Sequence, residues 1–193
     1  QAGVDIVHLA EFHNRLGPSR RDPVKSLPLL KAMHDECARL SDDDFLLLPG
    51  EEPNVHLGGH WISFFPRPVM WVLKRSKDKP FIEEHPEFGR IYHLGSAEDV
   101  LKLMELEKGL MWAAHPRIKS STGYPDRYRN ERFFKSDRYL GGAWKAMPAD
   151  LSRPRLGWRV LDLLDDTSNW GAKKYIVGEV DIFEVDRTTE FYA

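Results

Sequence analysis

Short apolar runs alternate along this chain with amphipathic stretches of helical period. Residues 4–13 alternate in the manner of a strand, and residues 26–40 repeat Leu27, Leu30, Met33 and Cys37 on one helical face, opened by Ser26 as a cap. The next run, Phe45 to Leu48, is apolar on both faces, which predicts a strand over 45–49 covered from both sides. Further strands are expected at 61–65 and 69–73. A helix opens at Ser96 with Asp99 three residues on, as in a capping box, and Gly109 stops it. The strand "LMWAAHP" comes next, then a long polar stretch with Gly and Pro over 117–150, a helix near 155–166 and a strand near 174–185. Alternation of β and α is the pattern of a parallel α/β barrel or open sheet.

Composition narrows this to one α/β domain over residues 1–193, because 193 residues with 41% hydrophobic side chains can bury a sizeable core. A formal charge of −2 gives no support for nucleic acid or an anionic membrane as partner. No apolar run approaches the roughly 18 residues of a membrane span, so the chain reads as soluble, with cytoplasm, periplasm and secretion all open. Cys37 is the single cysteine, which excludes an internal disulfide and a multi-cysteine zinc site; its helical face points to a core role. The chain starts Gln1-Ala2-Gly3 and enters a strand at once, so it is expected to be a fragment or processed product with no signal peptide left to read.

The chemistry collects where strands end. In parallel α/β folds that edge carries the reactive side chains. The first strand ends at Glu11 and His13, which share a face while His8 takes the other; the second ends at Glu51 and Glu52, with His60 following; the third ends at His115, before Pro116. Histidines and a carboxylate from three separate strands suit Zn, Mn or Fe better than Ca or Mg. Adjacent side chains on an extended backbone oppose each other, so Glu51 is expected to face solvent or lie behind the ligands.

"VDIVHLAEFHN", "LLLPGEEPNVHLGGHW" and "LMWAAHPR", in this order, resemble the second, third and fourth motifs of the PHP superfamily of metal-dependent hydrolases, nearest to its CehA/McbA-type branch, over roughly residues 1–120. The resemblance implies a distorted (β/α)7 barrel, incomplete in this chain. It implies His13, Glu52, His60 and His115 as ligands of two or three divalent ions (Zn, Mn or Fe), with Glu52 as the bridge and Glu52 and His115 as the catalytic pair. The chain departs from the family in carrying Phe12 where an Asp precedes the histidine, and in lacking the first His-x-His and last Asp-x-His motifs. The expected function is hydrolysis of phosphoester or carboxylic or carbamate ester bonds in a small molecule by a metal-activated water. The alternative is a catalytically inactive PHP-like module that binds metal or a partner.

His8, His34, His56, His85 and His93 read as structural. His85-Pro86 is the useful control for His115-Pro116, since no apolar strand precedes it. Between 117 and 145 basic residues, among them Arg117, Arg127, Arg129 and Arg132, interleave with Tyr124, Tyr128, Phe133, Phe134, Tyr139 and Trp144. This stretch is read either as a lid favouring an anionic substrate or as an insertion packed by its own aromatics. Glu179, Asp181 and Glu184 are given no catalytic role.

Overall fold

The computed structural model describes residues 5–11, 22–117, 125–144 and 158–178. The first unit is β1 (Ile6–Glu11), α1 (Leu27–Leu40) and β2 (Leu46–Glu51). β1 and β2 pair in parallel, with Ile6 opposite Leu46 and Glu11 opposite Glu51. Leu27, Leu30 and Cys37 form the buried stripe of α1 and Met33 is half-buried beside them. The Ser26 side chain does not cap α1: its hydroxyl donates to Pro23 O at 2.5 Å, and Asp22 caps the one-turn 3-10 helix (Pro23–Ser26) that feeds α1. At the other end Ser41 Oγ donates to Cys37 O at 2.8 Å and accepts from Leu47 N at 2.9 Å, tying helix to strand.

β3 (Trp61–Phe64) departs from the expected alternation. It pairs antiparallel with β2 and with β7 (Leu110–Ala113), so it lies between two strands that run the same way. β8 (Tyr139–Trp144) and β9 (Tyr175–Gly178) continue in parallel from β7, giving the order β1-β2-β3-β7-β8-β9. The architecture is mixed α/β with this sheet curled into a half-barrel. α4 (Trp158–Asn169) lies between β8 and β9 and runs past the end of the expected helix, and β9 falls at the start of the expected 174–185 strand, whose remainder lies outside the described residues.

Between β3 and β7 the chain builds a second sheet from β4 (Met70–Val72), β5 (Ile82–His85) and β6 (Gly89–His93), in the order β4-β6-β5. α2 (Ala97–Glu107) packs Val100, Leu101, Leu103 and Met104 into the core shared with Trp61, Trp71, Ile91 and Tyr92. Trp61 and Trp71 stack at 5.9 Å; each such large apolar side chain contributes roughly 1.5–3 kcal/mol when fully buried. Ser96 Oγ accepts from Asp99 N at 3.1 Å as the capping pattern predicts, but the Asp99 carboxylate turns to Arg75 and Gly95 N. The helix ends on Lys108, the left-handed residue (φ 56°), and not on Gly109. Gly109 is instead needed for packing, since a Cβ there would lie 2.5 Å from Phe65.

The polar stretch after 117 is also more regular than its composition predicts. A one-turn 3-10 helix (Pro125–Tyr128), α3 (Arg132–Lys135) and β8 all fall within it, and Phe133, Phe134 and Tyr139 are buried. Among the described residues no helix is long and apolar enough to cross a membrane.

Candidate metal centre

Five strands of the large sheet run one way and β3 runs against them. Topology therefore brings the start of β3 to the same edge as the ends of β2 and β7. Glu52 follows β2, His60 precedes β3 and His115 lies two residues past β7, so one residue from each arrives at one place. The strands are tied there: Trp61 N donates to Pro53 O at 3.0 Å and Ala114 N to His60 O at 3.1 Å. The intervening loop is pinned by Trp61 Nε1, which donates to Val55 O at 2.8 Å.

Two glycines allow this convergence. A Cβ on Gly50 would lie 1.9 Å from His8 Nε2 and 2.8 Å from Ser63 O, so only glycine lets β2 pass that close. Gly58 has φ +83° and lies under the Tyr128 ring, which a Cβ would meet at 2.4 Å.

One oxygen joins the three residues. Glu52 Oε1 accepts from His60 Nδ1 at 2.7 Å and from His115 Nε2 at 3.0 Å, and the two rings lie 5.3 Å apart. Burial by itself would raise the Glu52 carboxyl pKa, but the bonds from His115 and His60 outweigh it and bring it down to about 2. Glu52 is thus a carboxylate, an acceptor only, and both imidazole nitrogens must present protons to it. Glu52 and His115 are buried, while the His60 side chain is 19% exposed.

Those donor atoms lie within 4.8 Å of one another, and the buried Glu/His/His group could hold a metal ion. Tetrahedral bonds of about 2.1 Å set neighbouring donors roughly 3.4 Å apart, so both imidazole nitrogens would have to draw back from Glu52 Oε1, from 2.7 and 3.0 Å, to admit a cation.

Of the residues named from sequence, Glu52, His60 and His115 come together. His13 lies outside the described residues, as do Glu179, Asp181 and Glu184. Glu51 is not solvated: it is 1% exposed, on the sheet face opposite His8 and in register with Ser63. His8 packs against Phe64 and Trp112. His56 sits in the ligand loop with Nε2 3.4 Å from Leu73 O, His85 stacks on Phe88, and His93 bonds Glu83 at 2.7 Å. The basic stretch is engaged elsewhere: Arg132 pairs with Glu98 and Glu105 of α2, and Arg129 lies over the Trp170 ring. Both contacts tie the stretch to neighbouring elements of the fold. Sequence reading missed Arg117 as a separate element, since nothing in the basic stretch set it apart from its neighbours; its bonds to Asp126 and Asp166 appear only in three dimensions.

No family model matches this chain, and no curated protein or solved structure matches it either.

Proposed function

We propose that the chain is a metal-dependent hydrolase centred on Glu52, His60 and His115. The reading is carried by the single Glu52 oxygen that gathers two imidazoles at 2.7 and 3.0 Å on the sheet edge where strand ends converge. Two nitrogens and one carboxylate favour Zn, Mn or Fe. On the resemblance, His13 would be a further ligand, the site would hold two or three ions with Glu52 shared among them, and the half-barrel would be part of a PHP-type (β/α)7 barrel.

A divalent cation in such a set supplies Lewis acidity and lowers the pKa of a coordinated water toward about 7. The chain's own residues prepare that chemistry. Glu52 orients both rings and, as a carboxylate held near pKa 2, stays available as a ligand across the ordinary pH range. Burial of Glu52 and His115 keeps competing water away on their side. His60, the most exposed of the three, marks the side from which substrate approaches. Phosphoesters and carboxylic or carbamate esters are the substrate classes.

The test is to strip the chain of metal, reload it with Zn, Mn or Fe(II), and assay a phosphodiester and an aryl ester with wild type and Glu52→Gln. Turnover that needs metal and disappears in the variant is expected. Turnover indifferent to chelation, or failure to take up any of the metals, contradicts the proposal. Uptake without turnover on either substrate class would make the chain a binding module.

A further inference from the structure

His115 reaches Glu52 through unusual backbone. The β7 ladder ends at Ala113, and the following turn holds two non-glycine residues in the left-handed region, His115 at φ +31° and Arg117 at φ +61°. Pro116 between them has a fixed φ and no N–H to donate. Its ring presses on β8, where a Cβ on Gly142 would lie 2.9 Å from Pro116 Cγ. Left-handed backbone is costly for a residue other than glycine and persists only where its surroundings hold it.

The holder is Arg117. Its Nη2 donates to Asp126 Oδ2 at 2.6 Å and to Asp166 Oδ2 at 2.7 Å, from the 3-10 helix Pro125–Tyr128 and from α4. The guanidinium and Asp126 are largely shielded, with side chains 14% and 17% exposed, so the bonds work at reduced screening. Two separate elements thus grip the residue two places after His115. We infer that Arg117, clamped by Asp126 and Asp166, is a positioning residue that aims His115 at Glu52; its part in catalysis rests on the metal-centre reading, whereas its geometric role does not.

A clamp that merely tied α4 to the sheet would affect stability and leave the His115 ring alone, and this separates the two roles. The experiment compares wild type, Arg117→Ala, Arg117→Lys and Asp166→Asn by imidazole 15N NMR of the metal-free protein and by visible absorption during titration with Co2+. In Arg117→Ala the His115 ring signals should move toward those of an unbonded imidazole while those of His85 stay. The Kd for Co2+ should rise about tenfold or more, in the range of lost outer-sphere support, with an altered absorption band. Arg117→Lys, which keeps charge and donors, should recover most of both effects.

If Arg117→Ala fails to fold, Asp166→Asn carries the test with a change of about threefold in the same direction, since it leaves the Asp126 bond in place. Folded variants with unchanged His115 signals overturn the inference, whatever their stability. Wild-type protein that ignores Co2+ while Arg117→Ala still moves the His115 signals would remove the metal reading and leave the positioning role standing.

Discussion

Glu52 and Glu83 each accept a bond from an imidazole at 2.7 Å, His60 in one case and His93 in the other, but the two sites differ in what else reaches the carboxylate. Glu83 is also bound by the Lys79 ammonium at 3.1 Å, and its side chain is 29% exposed on the small sheet. A cation already neutralises it. There the lysine first and His93 second lower the carboxyl pKa, in a group that water can reach. At Glu52 no lysine or arginine takes part among the described residues; a second imidazole, His115, fills that position, and burial opposes the charge. A histidine–carboxylate contact is therefore not a site by itself. What distinguishes Glu52 is convergence of residues from three strands on one buried carboxylate oxygen.

The sharpest way to break this comparison is to neutralise each carboxylate in turn. Glu52→Gln should weaken Zn2+ binding about 100-fold or more, beyond the roughly 10–100-fold that loss of an outer partner costs, while Glu83→Gln should change it less than about twofold. Isothermal titration measures both, and equal losses would mean that the two clusters are equivalent.

The glycines of the two regions should differ as well. Gly50→Ala drives a methyl group into His8 and the Ser63 carbonyl, and is expected to cost about 3 kcal/mol in urea unfolding. Gly89→Ala, at the hairpin between β5 and β6, meets no atom within 4 Å and should cost only the left-handed backbone, about 1 kcal/mol.

A third contrast is with pH. Burial beside Phe64 and Trp112 pushes the His8 pKa down from 6.5 to about 4, with the Ser63 carbonyl partly opposing the shift. The folded chain then binds fewer protons than the unfolded one, so the stability is fully present above pH 6.5 and is lost as the pH falls through about 4. Full expression of such a shift is worth about 3 kcal/mol; with His8 short of complete burial, a loss of about 2 kcal/mol is expected. Glu52 adds to it only below about pH 4.5. His8→Gln should flatten the upper part of the profile in thermal melts at fixed pH. An unchanged profile would assign the dependence to another group.

The smallest effect belongs to the second His-Pro pair. His85→Ala removes a ring stacked on Phe88 and a bond accepted from Glu87 N at 3.2 Å, and should shift stability by no more than about 0.5 kcal/mol with metal affinity intact. His115→Ala should lower metal binding in the same assay.

Much of the site was legible because strand ends advertise themselves. Glu52 and His115 follow apolar runs that read as strands, so their polarity stood out, although the first run is not covered from both sides as its composition predicts: Leu46 is 41% exposed and Leu47 and Leu48 are half-buried. His60 was named because it follows Glu51 and Glu52 in the loop after that strand, but the direction of its own strand was not legible: the nine residues 52–60 form a returning loop whose turn depends on Gly58 and the distant Tyr128, which no local pattern reveals. β4 falls within the strand expected at 69–73, but its neighbours in the small sheet escaped because Glu83, Glu84 and His85 make β5 polar, although Ile91 and Tyr92 of its partner β6 are buried. β8 escaped because its two glycines and the charged residues before it looked like loop. Alternation put Glu51 on the face opposite Glu52, in solvent or behind the ligands, and its burial rules out solvent, because that face lies within the fold.

The most direct measurement is anomalous diffraction at the zinc edge from crystals grown with Zn2+. A peak is expected within about 2.0–2.2 Å of a Glu52 oxygen, His60 Nδ1 and His115 Nε2, with both imidazoles drawn back from their present bonds to Glu52. Saturating Zn2+ that leaves no peak there, with His60 and His115 still donating to Glu52 Oε1 at 2.7 and 3.0 Å, would contradict the metal-centre reading.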